Sequence, residues 1–136
     1  MGARDAIGVL HHVELWVPEF HTAHTTIGWL LESLGYTTNQ TWERGESWSL
    51  GQTYVVIEES SAMNGKTHDR MLPGLNHLAF HAGSHAHCDD LIRRAAEHGW
   101  TLQFPERHPY AGGAHHYAGY IVNADGFEIE LVGDDD

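Results

Sequence analysis

The sequence predicts an α+β fold in which one chain carries two βαβββ modules. Three observations predict it. The stretch Leu10-His11-His12-Val13-Glu14-Leu15-Trp16-Val17 returns in altered form as Leu75-Asn76-His77-Leu78-Ala79-Phe80-His81. Each copy is followed by a helix-like segment that stops at a glycine, Gly35 in the first and Gly99 in the second. Each half then closes on an apolar strand carrying a carboxylate, Val55-Val56-Ile57-Glu58 and Phe127-Glu128-Ile129-Glu130. His12 and His77 are 65 residues apart in a chain of 136, so the repeat unit is half the molecule.

The elements follow in order. Over residues 9–17 Val13, Leu15 and Val17 alternate with His12, Glu14 and Trp16, the period of a half-buried strand, and Pro18 ends it. From Glu19 to Leu34 the apolar positions Phe20, Ala23, Ile27, Leu30, Leu31 and Leu34 recur every three or four residues, which predicts an amphipathic helix with Gly35 as its stop. Three short strands come next, Tyr36–Trp42, Ser47–Leu50 and Thr53–Glu59, with turns at Arg44-Gly45-Glu46 and Gly51-Gln52. The polar stretch from Ser60 to Gly74 reads as a linker. The second half predicts a strand at Leu75–His81, a helix over 85–98 that buries Cys88, Leu91, Ile92, Ala95 and Ala96, and a short strand at Thr101–Phe104. After a loop over 106–114, strands at His116–Val122 and Phe127–Val132 are joined by Asn123-Ala124-Asp125-Gly126, a strong turn signal. Module one thus spans about 8–60, the linker 61–73 and module two about 74–133, within a single domain.

Composition bounds the function. The net charge of −12 argues against nucleic acid and anionic membranes as partners and suits a cationic ligand. No apolar run approaches the ~18 residues of a membrane span, and Met1–Asp5 has no signal-peptide core. The single Cys88 rules out an internal disulfide and fits a reducing compartment, so a cytoplasmic protein is expected.

The alternation also sorts faces. His12, Glu58, His77 and Glu130 all fall on the sheet face turned away from the helices. Two strand histidines and two strand glutamates repeated in this way suggest one metal ion, since imidazole and carboxylate together suit Ni, Co, Zn, Mn or Fe. A carboxylate inside an apolar strand must be paired or coordinate something. If register slips by one, Glu59 replaces Glu58 and His11 replaces His12. Trp16, His81, His116 and Tyr120 are the candidate substrate-pocket residues, with Trp48, Tyr54 and Tyr117 as further aromatic walls. Glu128 reads as cleft-lining or exposed, and Cys88 as core.

The stretches at 12–17, 74–80 and 123–132 resemble the vicinal oxygen chelate superfamily, which includes glyoxalase I, bleomycin-resistance proteins, fosfomycin-resistance enzymes and extradiol dioxygenases. Asn123-Ala124-Asp125-Gly126-Phe127-Glu128-Ile129-Glu130-Leu131 is similar to that family's Asp-Gly…Glu-Leu ending. The resemblance implies a curved, cupped mixed sheet, a divalent metal held by His12, Glu58, His77 and Glu130, and sites built between paired modules, within a chain or across a homodimer. Glu58 matches the fourth ligand of glyoxalase I, whereas dioxygenases and fosfomycin enzymes use three. The favoured expectation is a glyoxalase-like lyase or isomerase on a small oxygenated molecule, with Glu58 and Glu130 as candidate bases. A bleomycin-resistance-like binder and an Fe(II) dioxygenase are the rivals. The chain departs from glyoxalase I at the glutathione-recognition positions, and Trp16 stands where a basic contact is expected.

Overall fold

The computed structural model describes residues 6–135. Met1–Asp5, read above as lacking a leader core, and Asp136 of the acidic end lie outside the described residues. Module one runs β1 (His12–Trp16), a helical segment over 20–33, β2 (Thr37–Trp42), β3 (Gly45–Leu50) and β4 (Thr53–Glu58). Module two runs β5 (Leu78–Ser84), a helix at His85–Ala95 extended by a 3₁₀ turn at Ala96–His98, β6 (Thr101–Gln103), β7 (Ala118–Val122) and β8 (Glu128–Asp134). Each module forms one four-stranded mixed sheet. The orders are β1-β4-β3-β2 and β5-β8-β7-β6, with the first strand parallel to the last and the other pairings antiparallel. The sheets are open, and the duplicated α+β fold is as the sequence predicts.

The helices begin and end where their chemistry dictates. Glu19 caps the first, its carboxylate accepting the Thr22 N–H at 2.6 Å, and Ser84 caps the second through the His87 N–H at 3.1 Å. Gly35 and Gly99 both stand at positive φ, the left-handed stop that a side chain would strain. The first helix is not one regular α-helix: His24–Gly28 is a π-turn between α-turns at Phe20–Ala23 and Trp29–Ser33. There Gly28 lies against the Trp48 ring, and Thr26 turns inward. The first hairpin also differs from the expected turn. Trp42 pairs with Gly45, so the turn is Glu43-Arg44, and Gly45 is the first strand residue because the Trp42 indole lies over its Cα.

Residues facing the helices from both sheets drain into one core. Leu15, Val17, Ile27, Leu30, Trp48 and Ile57 of module one join Cys88, Leu91, Ile121, Ile129 and Leu131 of module two. Trp48 is fully buried, and removing a ring of that size costs on the order of 3–5 kcal/mol. Polar links close the seam. Trp100 Nε1 donates to the Thr26 carbonyl at 3.2 Å, and Asn123 Nδ2 donates to Thr26 Oγ1 at 3.2 Å. Because the helix-bearing faces share this core, the two opposite sheet faces point out of the molecule.

Candidate functional site

On the outward face of module two, three side chains converge on one carboxylate. Glu130 lies in β8 and is only 6% exposed. His77 Nε2 meets its Oε1 at 3.0 Å, and His116 Nε2 meets its Oε2. Tyr120, directly across the β7–β8 ladder, donates its hydroxyl to the same carboxylate. Burial, with the negative charge of Glu130, pushes the Tyr120 phenol up. Backbone pairing fixes these positions: Ala79, Glu130 and Tyr120 form one row across β5, β8 and β7. His77 stands just ahead of β5, with Asn76 Oδ1 2.7 Å from its Nδ1. His116 comes from the loop before β7.

Glu128 lies two residues before Glu130 on the same face. It is 4% exposed, and its Oε1 is buried without a hydrogen-bond partner. Its other oxygen is 3.6 Å from Arg70 Nη1 and 3.7 Å from His77 Nδ1. A buried carboxylate oxygen without a donor is costly unless a ligand supplies one. Arg70 belongs to the stretch leading into the second motif, and Asn76 to the motif itself. Only the folded path of that segment, with Asn76 Nδ2 donating to the Arg70 carbonyl at 3.0 Å, reveals their role.

Module one presents a different surface. Trp16, Glu58, Gly45 and Trp42 form one row across β1, β4, β3 and β2. Trp42 Nε1 donates to Glu58 Oε2 at 3.2 Å, and Trp16 Nε1 donates to Glu14 Oε2 at 2.6 Å. His12 stacks on Tyr54 with ring centroids 4.6 Å apart.

The structure therefore brings together His77, His116, Tyr120 and Glu130, and separately Trp16 and Glu58. It does not bring His12 to Glu58. His12 pairs with Tyr54 while Glu58 pairs with Trp16, four residues further along parallel strands, or about 13 Å. Register also compares the modules. Glu130 pairs with Ala79, two residues past His77, and the matching position two past His12 is Glu14, whose partner is Val56. Val56, not Glu58, is thus the module-one counterpart of Glu130. His81 is exposed, beside an apolar groove of about 590 Å³ between β1 and β5, away from the Glu130 cluster. Among the described residues, no group of three or more His, Cys, Asp or Glu side chains is disposed to hold a metal ion. One chain as folded does not gather the expected metal set. Both Glu130 oxygens are already engaged by imidazoles.

The paired βαβββ modules, with imidazole and carboxylate on the outward strands, define a protein of the vicinal oxygen chelate class, whose members commonly use divalent metals and bind small molecules. The chain belongs to the Glyoxalase/Bleomycin resistance protein/Dioxygenase superfamily, whose model matches residues 11–120. It is 36% identical over 124 residues to the uncharacterized protein YqjT of Bacillus subtilis (strain 168), covering 90% of this chain and 97% of that protein. It is similar to a crystal structure of a candidate glyoxalase from Bacillus halodurans, with 37% identity, a TM-score of 0.90, and 96% and 98% of the two chains covered. A lactoylglutathione lyase from Agrobacterium tumefaciens shares the fold at 16% identity and a TM-score of 0.63, covering 93% of each chain. No helix among the described residues is long and apolar enough to cross a membrane.

Proposed function

We propose that this protein is a glyoxalase-like lyase or isomerase acting on a small oxygenated molecule at the outward face of module two. The observation that carries the reading is the buried Glu130 held by His77, His116 and Tyr120, beside the donor-less Glu128 oxygen. A buried carboxylate held in place by its neighbours is suited to general-base work. In this reading Glu130 takes the proton from the carbon beside a substrate carbonyl, and the electron pair moves onto the carbonyl oxygen. Return of the proton to the neighbouring carbon gives an isomer, and expulsion of a leaving group gives a lyase product. His116 and Tyr120 are the nearby donors for the developing oxyanion. A substrate hydroxyl or ammonium group would satisfy Glu128 Oε1.

The test is solvent-deuterium exchange into α-hydroxyketones and 2-oxoaldehydes, followed by proton NMR. Wild type should exchange the α-proton, and Glu130→Gln should lose at least about 100-fold. Equal exchange by both proteins would refute the reading. Elemental analysis of wild type and His77→Ala belongs to the same experiment, because metal dependence is the family expectation that one chain's geometry does not meet. Homodimerisation is part of the proposal, since β1 and β5 are both sheet edges flanking an apolar groove. Light scattering tests it.

A second reading is an Fe(II) dioxygenase that uses His12, His77 and Glu130, with His12 brought to the other two from a second copy of the chain. The register that sets Val56, not a carboxylate, at the counterpart of Glu130 favours this three-donor set. Oxygen uptake with catechols, lost in His12→Ala, would support it over the first.

A further inference from the structure

The outward face of module one carries chemistry that the Glu130 cluster does not use. In the row Trp16–Glu58–Gly45–Trp42, two indoles flank one carboxylate. Adjacent strands are about 4.8 Å apart, so the two tryptophan Cα atoms stand about 14 Å apart with Glu58 between them. The third member, Gly45, has no side chain. A Cβ there would collide with the Trp42 ring, so glycine is what lets that indole lie down across the sheet and reach Glu58.

Both indoles are unusually open for their size, Trp16 at 45% and Trp42 at 39% exposure. Their N–H groups are already engaged by Glu14 and Glu58, which leaves the exposed part of each negative π-face, the outer one for Trp42, to meet a ligand. Among the described residues neither carboxylate has an ion-pair partner. Two cations of this region are engaged by other groups: Arg44 is 2.5 Å from Glu59, and Lys66, which lines a small cavity with Trp16, is 3.8 Å from Glu59 and donates to the Pro18 carbonyl at 3.3 Å. Indole faces and an unpaired carboxylate select the same kind of ligand. Each attracts positive charge on a weakly hydrated organic group, and neither attracts an anion.

We propose that the Trp16–Glu58–Gly45–Trp42 row is a recognition site for an organic ammonium group, seated over Glu58 between the two indoles. This goes beyond the proton-transfer reading, because no residue of the row belongs to the Glu130 cluster. It assigns the molecule's ligand a positive charge, in keeping with the net charge of −12.

Calorimetric titration of the full chain with choline tests it, with the uncharged isostere 3,3-dimethyl-1-butanol as control. Choline should bind saturably and the alcohol about tenfold more weakly, the size of two exposed cation–π contacts together. Glu58→Gln and Trp42→Leu should each weaken choline by about threefold to fivefold. Trp16→Leu, on an exposed strand position, is the second variant should Trp42→Leu lose its circular-dichroism spectrum. Glu130→Gln should bind choline as wild type does, so a failed base assignment and a failed cation site give different results. Equal binding of choline and the alcohol, no saturable binding of choline, or wild-type affinity in Glu58→Gln would overturn the proposal.

Discussion

Asn123→Ala is the sharpest test of how the two modules are joined. The Asn123 side chain is buried and makes three hydrogen bonds. Its Oδ1 accepts the Phe127 N–H at 3.0 Å and the Asp125 N–H at 3.1 Å, and its Nδ2 donates to Thr26 Oγ1 at 3.2 Å. Alanine keeps the backbone turn but removes all three. The Phe127 N–H is buried and loses its acceptor outright, at about 2 kcal/mol, whereas the partly exposed Asp125 N–H can turn to water at about 1 kcal/mol or less. Thr26 Oγ1 still donates to the Thr22 carbonyl at 3.1 Å, so its loss is small. The sum is about 3 kcal/mol, or roughly 10 °C in melting temperature for a domain of this size. Urea denaturation should show a lower midpoint with an unchanged slope. Asn123→Asp keeps an acceptor for both N–H groups and loses only the donor to Thr26, so it should cost about 1 kcal/mol. An alanine cost below about 1 kcal/mol, or an aspartate cost equal to it, would refute the accounting.

Two further outcomes follow from other contacts. Gly28→Ala ought to stabilise a helix by about 1 kcal/mol on propensity alone. Here the added Cβ would sit 2.9 Å from the fully buried Trp48 ring, so thermal denaturation should show a loss of about 1–3 kcal/mol, and a gain would show that the ring yields. Burial pushes the Cys88 thiol up to about 11 from 9.0. The unfolded chain therefore releases this proton first, and stability falls as pH rises from about 9 toward 11. Native protein at pH ~8 should resist a thiol reagent that labels it readily in urea, and fast native labelling would contradict the burial.

Much of the fold was legible because its signals are local. The alternation of Val13, Leu15 and Val17, the three-and-four spacing from Phe20 to Leu34, and the glycines at 35 and 99 each act within a few residues. Duplication did the rest, since a motif met twice predicts a module built twice. His77 and Glu130 could be paired as candidates for the same reason. What local pattern could not supply was register and the sharing of a core. Whether Glu58 or Val56 answers to Glu130 depends on how β1 lies against β4, a pairing of residues about forty apart in the chain. The π-turn at His24–Gly28 coincides with Gly28 against Trp48 and Thr26 against Trp100 and Asn123, all distant in sequence. The sequence by itself determined the two modules, their apolar faces and the types of side chain on the opposite faces. Only the tertiary structure decided which of those side chains meet. It gathered His77, His116, Tyr120 and Glu130 at one site, aligned Trp16, Glu58, Gly45 and Trp42 in one row, and kept His12 apart from Glu58. The physical reason is that side-chain type is written residue by residue, whereas distance is set by hydrogen-bond register and by the core that both helix-bearing faces must share.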